Sequence, residues 1–116
     1  MVLDFAALTK AYFDTWNAHD EAGITAKHAA ASTLTDWDAS HGPTSDDVGK
    51  GIAGIWKAVP EIKIEIVDVY TCGDKLPSCV ANIKVIVDAS TMLKVCDVIT
   101  YDEAGLVVSI YAYKAD

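Results

Sequence analysis

The hydrophobic pattern of this chain changes its period at Pro60. Before Pro60, apolar residues recur every three or four positions, which is typical of helices that bury one face. After it, β-branched residues alternate with other residues, which is typical of strands in a sheet. A chain that places helices first and a succession of strands afterwards is predicted to form an α+β fold.

Three helices and a short strand are predicted before Pro60. The helices cover residues 3–17, 20–29 and 44–59, and the strand lies over residues 33–38. Asp20 is suited to cap the second helix, and Thr44 or Ser45 the third, because short polar side chains accept hydrogen bonds from the free amides of a first turn.

Four longer strands are predicted after Pro60, over residues 62–69, 80–87, 92–101 and 106–113. Gly105 is suited to a positive φ angle in the turn between the last two strands. These strands predict an antiparallel meander. If the meander is strongly curved, with the helices closing one side, it encloses a pocket.

The three cysteines do not form a disulfide framework. Cys72 and Cys79 flank a turn-like segment, residues 73–78. If that segment closes a hairpin, the two sulfurs face each other at bridging distance, whereas in a reducing compartment they remain free thiols packed as small hydrophobes. The sequence favours free thiols.

Length and charge exclude several classes of protein. The 116 residues are enough for one domain with one core, so residues 1–116 are predicted to form a single domain. A net charge of −8 argues against partners that carry phosphates, namely nucleic acid and anionic membrane surfaces. No segment resembles a membrane span or a signal peptide, which predicts a cytoplasmic protein. No metal-ligand spacing or nucleotide-binding loop is present, so neither a metal nor a cofactor is expected.

A segment with two carboxylates carries the strongest chemical signal. Asp36 and Asp38 flank Trp37, in a chain that is 52% hydrophobic. A carboxyl group beside an aromatic ring in an apolar pocket has a raised pKa, which suits it to proton transfer near neutral pH. The alternative is that both residues are exposed and lead into the turn at Gly42-Pro43.

Two longer segments resemble a known family. Residues 11–20, Ala-Tyr-Phe-Asp-Thr-Trp-Asn-Ala-His-Asp, are similar to the first-helix signature of the SnoaL-like and ketosteroid isomerase-like group of the nuclear transport factor 2-like fold. Residues 97–110 are similar to its final hairpin. The resemblance implies a cone-shaped, curved antiparallel sheet with three N-terminal helices enclosing a pocket. It also implies a homodimer.

The same resemblance implies roles for particular side chains. In ketosteroid isomerase, a well-known case of pKa tuning by the protein environment, an Asp base acts beside an oxyanion hole formed by a Tyr and a protonated Asp. Tyr12 and Asp97 match the two oxyanion-hole positions, and Asp36 matches the base. Asp38 is the alternative base, because it lies on the same face of the predicted strand. Trp56 departs from the family pattern, which has a tyrosine there.

The function that these matches imply is acid/base catalysis without a cofactor on a small hydrophobic carbonyl compound. Isomerisation of a β,γ-enone and aldol-type polyketide cyclisation both fit, since each passes through an enolate. Two alternatives remain: a non-catalytic binding or dimerisation module, and a hydrolase or dehydratase in which Asp36 or Asp38 activates water. Six residues are expected to line the pocket: Trp16, Trp37, Trp56, His41, Ile99 and Ile110.

Overall fold

A computed structural model describes residues 3–72 and 77–115. The helices are α1 (Phe5–Asn17), α2 (Glu21–Ala26) and α3 (Ser45–Ala58). The strands are β1 (His28–Thr35), β2 (Ser40–His41), β3 (Lys63–Cys72), β4 (Ser78–Asp88), β5 (Thr91–Tyr101) and β6 (Val107–Lys114). The predicted change from helices to strands at Pro60 is confirmed, as is the α+β class.

The strands form one curved, open sheet in the order β2-β1-β6-β5-β4-β3. Strands β3 to β6 make the predicted antiparallel meander. The sheet as a whole is mixed, however, because β1 pairs with β6 in parallel. The expectation of a purely antiparallel sheet was wrong on this point. Parallel strands need a long connection between them, and here the helix α3 and the rest of the sheet supply it.

The short strand before α3 is longer than its sequence indicates. The second helix ends at Ala26 rather than near residue 29, and β1 begins at His28 rather than Thr33. Residues 29–31 are three alanines, which have low strand propensity, so local sequence favours a helix there. The long-range pairing of His28 with Val107 overrides that preference.

Side-chain caps fix the beginnings of the two long helices. The Asp4 side chain accepts a hydrogen bond from the amide of Ala7 at the start of α1. Thr44 and Asp47 form a reciprocal capping box at the start of α3, which satisfies two otherwise free amides. Both helices therefore begin at defined residues, and their apolar faces are set in register against the sheet.

Asn17, the last residue of α1, connects this helix to strand β3 of the sheet by hydrogen bonds. Its side-chain amide donates to the carbonyl oxygen of Ile64, and its side-chain oxygen accepts from the amide of Ile64, each at 2.7 Å. These two bonds replace the partner strand that the edge strand β3 lacks on that side. They also hold Trp16 and Ile64 close to each other at one end of the core.

The predicted hairpin between β3 and β4 is confirmed, but its tip, residues 73–76, lies outside the described residues. Cys72 pairs with Ser78, and Cys79 pairs with Thr71. The two cysteines are therefore one position out of register, with Cys79 buried and Cys72 exposed on the opposite face. Both are free thiols, and the face-to-face arrangement that a bridge requires is absent.

Candidate functional site

A cavity of about 230 Å³ lies between the inner face of the sheet and the helices α1 and α3. Its wall consists mostly of aliphatic side chains, because the inward positions of β3, β4 and β5 are β-branched residues or leucine. Three carboxyl groups interrupt this apolar wall. The lining residues are Trp16, Leu34, Asp36, Trp37, Asp38, Ile55, Ile62, Ile64, Ile83, Val85, Val87, Leu93, Val95, Asp97 and Ala112.

Asp97 is the buried carboxyl of this cavity. It lies on the inward face of β5 and is only 7% exposed. Its neighbours on the adjacent strands are Ala81 and Ala112, whose small side chains leave space around the carboxyl group. Among the described residues, no hydrogen bond is made to the Asp97 side chain. The group is therefore held by the strand but left without a protein partner.

The surroundings of Asp97 raise its pKa from 3.8 to about 7. The larger cause is burial, which disfavours the charged carboxylate, and the smaller is repulsion by the negative charge of Asp36. A carboxyl group with such a pKa exists in both protonation states near neutral pH. When protonated, it is a hydrogen-bond donor inside an apolar cavity.

Asp36 follows β1 directly, in the loop that leads to β2. One of its carboxylate oxygens, Oδ1, accepts hydrogen bonds from the amides of Ala39 at 2.9 Å and Asp38 at 3.3 Å. These bonds orient the carboxylate and leave Oδ2 free of backbone partners. Burial is the main cause that raises the pKa of Asp36, and its contact with the Asp38 side chain adds to the increase.

Both Asp36 and Asp38 line the cavity, but they are not equally enclosed. Asp36 is half-buried, whereas Asp38 is exposed at the cavity mouth. The residue between them, Trp37, also lines the cavity, and its outer part is exposed. The expectation that the two carboxylates share one face of a strand was wrong, because both lie in a loop that begins after Thr35.

Tyr12 lies beside the cavity rather than in its wall. Its hydroxyl group is 2.8 Å from Nε2 of His28, and both side chains are buried. Burial lowers the pKa of His28 to about 4, so the imidazole is neutral at pH 7. Burial also raises the pKa of Tyr12 well above its ordinary value, and the charge of Asp97 contributes to this increase. The phenol therefore stays protonated and has His28 as its partner.

Of the six residues expected to line the pocket, Trp16 and Trp37 do so. Trp56, His41, Ile99 and Ile110 lie outside the wall of this cavity. Ile99 and Ile110 are paired on β5 and β6 and are fully buried where the core is filled. Inward orientation on a strand identifies core residues, but it does not distinguish the filled part of the core from the hollow part.

Trp56 and His41 are occupied by other contacts. The ring of Trp56 stacks on His19, with ring centroids 5.0 Å apart, and it meets Trp16 edge-on. His41 packs against α3 at Gly51, where a side-chain carbon would collide with the imidazole. Both residues support the site from outside, and neither reaches the cavity.

The aliphatic wall was not predicted, although its signal is present in the sequence. The inward residues Ile83, Val85 and Val87 alternate along β4, and Leu93 and Val95 face them from β5. This alternation identifies a buried face, but where the space lies depends on the curvature of the sheet, which sequence alone does not give. In the described ranges, no group of three histidine, cysteine, aspartate or glutamate side chains is arranged so that it could hold a metal ion. No helix in these ranges is long and apolar enough to cross a membrane.

Comparison with known proteins identifies the fold of this chain. No protein-family model and no curated protein sequence matches the chain. Solved structures match over nearly all of it. The chain has the cystatin-like, nuclear transport factor 2-like fold. This result confirms the fold that the resemblance in the first helix and the last hairpin implies.

Three of these structures illustrate the range of proteins that share the fold. A SnoaL-like protein of unknown function from Burkholderia thailandensis has a TM-score of 0.80 at 16% identity, over 97% of this chain and 94% of the other. A protein of unknown function with a cystatin-like fold from Methylobium petroleophilum has a TM-score of 0.83 at 14% identity, over 97% and 76%. A proposed ketosteroid isomerase from Kribbella flavida has a TM-score of 0.79 at 16% identity, over 97% and 78%. At these identities the likeness extends to the fold alone.

Proposed function

We propose that this protein is a cofactor-independent acid/base enzyme that converts a small hydrophobic carbonyl compound through an enolate. The observation that carries the proposal is the pair Asp36 and Asp97 in one apolar cavity, with Asp97 buried and its pKa raised to about 7. Two carboxyl groups whose surroundings differ are suited to opposite roles, one as base and one as hydrogen-bond donor.

Asp36 is the better candidate for the base. It is less buried than Asp97, and two backbone amides support its carboxylate form at Oδ1. Its Oδ2 is the atom that would accept a proton from the carbon next to the substrate carbonyl. Asp38, exposed at the mouth, is the alternative base, and its closeness to Asp36 helps to set the pKa of Asp36.

Asp97 in its protonated form is the candidate donor to the carbonyl oxygen. As the proton leaves carbon, negative charge develops on that oxygen, and a hydrogen bond from Asp97 stabilises it. One such donor in a water-excluding site contributes roughly 3 kcal/mol to lowering the barrier. For isomerisation of a β,γ-enone, the protonated Asp36 then returns the proton to the γ carbon, which leaves the conjugated enone and regenerates the carboxylate.

Tyr12 does not have the role of a direct second donor in this proposal. Its hydroxyl group contacts His28, and it does not line the cavity. A substrate oxygen would reach Asp97 first. The placement of Tyr12 also favours the second candidate function, a non-catalytic binding module, because Asp97 is then the one buried acid among the described lining residues that can donate to a developing oxyanion.

The volume of the cavity limits the size of the substrate that it can hold. Pockets for drug-sized ligands usually measure about 300–1,000 Å³, and this one measures about 230 Å³. A compound with one ring is therefore a better probe than a four-ring steroid. Cyclohex-3-enone, a β,γ-unsaturated ketone whose isomerisation product absorbs in the ultraviolet, is the smallest suitable test substrate.

The test is the rate of formation of cyclohex-2-enone by the wild-type protein and by Asp36→Asn. Asp68→Asn is the matched control, since Asp68 is an exposed residue of β3 outside this cavity and the substitution removes the same charge. Turnover that is lost in Asp36→Asn and kept in Asp68→Asn supports the proposal. Binding of the ketone without turnover by a folded wild-type protein would refute it and favour the binding module.

A further inference from the structure

The wall of the cavity carries charge of one sign only. Asp36, Asp38 and Asp97 contribute three carboxyl groups, and among residues 3–72 and 77–115 no lysine, arginine or histidine lines it. The other lining residues are aliphatic or aromatic. An anionic ligand would be repelled from such a cavity, whereas a cation with a hydrocarbon body would meet opposite charge and apolar surface together.

Asp97 is the specific observation that points to a cation. Its carboxyl group is more than nine-tenths buried, faces the cavity and makes no hydrogen bond within residues 3–72 and 77–115. A buried carboxylate without a partner is energetically costly, because burial removes its hydration and nothing replaces it. An ammonium group would supply the missing opposite charge and up to three hydrogen-bond donors.

Two aromatic rings in the cavity wall are also suited to contact an ammonium group. Trp16 and Trp37 both line the cavity, and the indole ring is the side chain whose face attracts cations most strongly. The ring of Trp37 already has one cation beside it, since Nζ of Lys114 lies 5.7 Å from its centroid. Trp37 therefore lies between the cavity and the exposed Lys114, whose ammonium group is beside its ring.

We propose that this cavity binds a small hydrophobic amine in its ammonium form. The charged group lies between Asp36 and Asp97, and the hydrocarbon body packs against the aliphatic side chains of β4 and β5. The volume of about 230 Å³ suits an amine with one ring. This binding needs the cavity and its carboxyl groups but no catalytic step, so it does not depend on the proposed reaction.

Binding of an ammonium group is coupled to protons. Within the described residues, the titratable groups near Asp97 are Asp36 and Asp38 from the loop after β1, Tyr12 from α1 and the neighbouring Cys96 of β5. None of them carries a positive charge, and the negative charge of Asp36 adds to burial in making the carboxylate of Asp97 less favourable. A bound cation reverses this effect and favours the carboxylate, so it releases a proton from Asp97 when it binds near pH 7.

The experiment compares two probes of nearly the same size, cyclohexylmethylamine and cyclohexylmethanol. The amine is fully protonated near neutral pH, because alkylamines have pKa values of about 10. Affinities are measured by isothermal titration calorimetry at pH 7 in two buffers with different heats of ionisation, which also gives the number of protons released. The proteins are the wild type, Asp97→Asn and the surface control Asp68→Asn.

The proposal predicts that the wild type prefers the amine over the alcohol by about tenfold or more, as expected for a charge-assisted contact. The preference should disappear in Asp97→Asn and persist in Asp68→Asn. Proton release should accompany the amine and not the alcohol, which tests the proposal in the wild type even if Asp97→Asn fails to fold. Equal affinity for the two probes, or a preference that survives in a folded Asp97→Asn, overturns it.

The outcomes also separate this inference from the proposed enzyme. If cyclohex-3-enone is isomerised but the amine shows no preference, the enzyme proposal stands and amine binding is wrong. If the amine is preferred and no enone is formed, the cavity is a cation-binding site without the proposed catalysis. If both hold, the amine should inhibit turnover competitively, since both ligands occupy the same carboxyl groups.

Discussion

Asp97 and Tyr101 lie on the same inward face of β5 and are both buried, but their polar groups differ in their hydrogen-bond partners. The hydroxyl group of Tyr101 is 2.6 Å from Oγ1 of Thr9, and its ring packs against Phe5. The carboxyl group of Asp97 has no such partner among the described residues and faces a cavity. At the filled end of the core, around Tyr101, the buried polar group has a protein partner, and at the hollow end, around Asp97 and the cavity, it has none among the described residues.

The same physical cause has different chemical consequences at the two ends. Burial is the largest contribution to the raised pKa of both groups, which reaches about 12 for Tyr101 and about 7 for Asp97. A tyrosine with a pKa of about 12 stays protonated throughout the physiological range. A carboxyl group with a pKa of about 7 changes its charge within that range. Of these two groups, therefore, only Asp97 changes its charge near neutral pH.

The largest expected effect is on catalysis at the hollow end. Replacing the base in Asp36→Asn should lower the rate of cyclohex-3-enone isomerisation by about 10²- to 10⁴-fold, which is the usual contribution of a general base. Thr9→Val at the filled end should leave that rate nearly unchanged. Initial rates of isomerisation by the two variants, at equal concentration of folded protein, test this difference. A comparable loss of rate in both variants would show that the two ends do not differ in their contribution to catalysis.

The second effect is on stability, and it depends on pH. Because the folded state raises the pKa of Asp97, the folded protein binds more protons than the unfolded chain between about pH 4 and pH 7. The free energy of unfolding therefore falls as pH rises through this window, by up to about 4 kcal/mol for a change in pKa from 3.8 to about 7.

Asp97→Asn removes this dependence. It should be more stable than the wild type above pH 7, and the difference should shrink as pH falls towards 4, because the folded wild type then holds the proton and no longer buries a charged carboxylate. Chemical denaturation at pH 5 and pH 8 measures the change. A stability difference between the two proteins that stays constant with pH would show that Asp97 does not titrate as described.

The third effect is on the attachment of α1 to β3. Asn17→Ala removes both hydrogen bonds to Ile64 and leaves its backbone groups part-buried without their partner. The free energy of unfolding should fall by about 1–3 kcal/mol. Asp14→Ala on the exposed face of the same helix is the control, since it removes only the surface ion pair with Lys10 and should cost less than about 1 kcal/mol.

The smallest effect is expected at the filled end. Tyr101→Phe leaves Oγ1 of Thr9 without its partner and should lower the free energy of unfolding by about 1 kcal/mol, with no change in enone turnover or amine affinity. Urea denaturation together with the activity assay measures both quantities. If this substitution altered ligand binding, the two ends of β5 would not be independent.

The sequence predicted most elements of this fold because their signals are local. The alternation of Ile83, Val85 and Val87 with outward residues is visible without any partner strand, and so is the turn at Gly105, whose φ is +81°. The beginning of β1 was missed for the opposite reason. Its alanines carry no local strand signal, and the segment is a strand because the residues on either side of them, His28 and Thr33, pair with β6.

The sequence identified candidate residues of the site but did not predict how they are arranged. Asp36 and Asp97 were identified by their resemblance to a family pattern, and they do line one cavity. The contact between Tyr12 and His28 was not predicted, because His28 was placed on a helix and the two residues meet only through tertiary packing. The distinction between Ile99 in the filled core and Val95 in the cavity wall likewise depends on the shape of the curved sheet.

The parallel pairing of β1 with β6 has a consequence for the order of folding. Residues 28–35 are synthesised well before residues 107–114, the strand that fixes their register. Contacts between such distant segments form slowly, because a long stretch of chain must be closed first. Asp36 extends directly from β1 and Asp97 lies on the neighbour of β6, so the two carboxyl groups acquire their fixed separation only when β6 docks. The cavity is thus expected to be among the last parts of the protein to form.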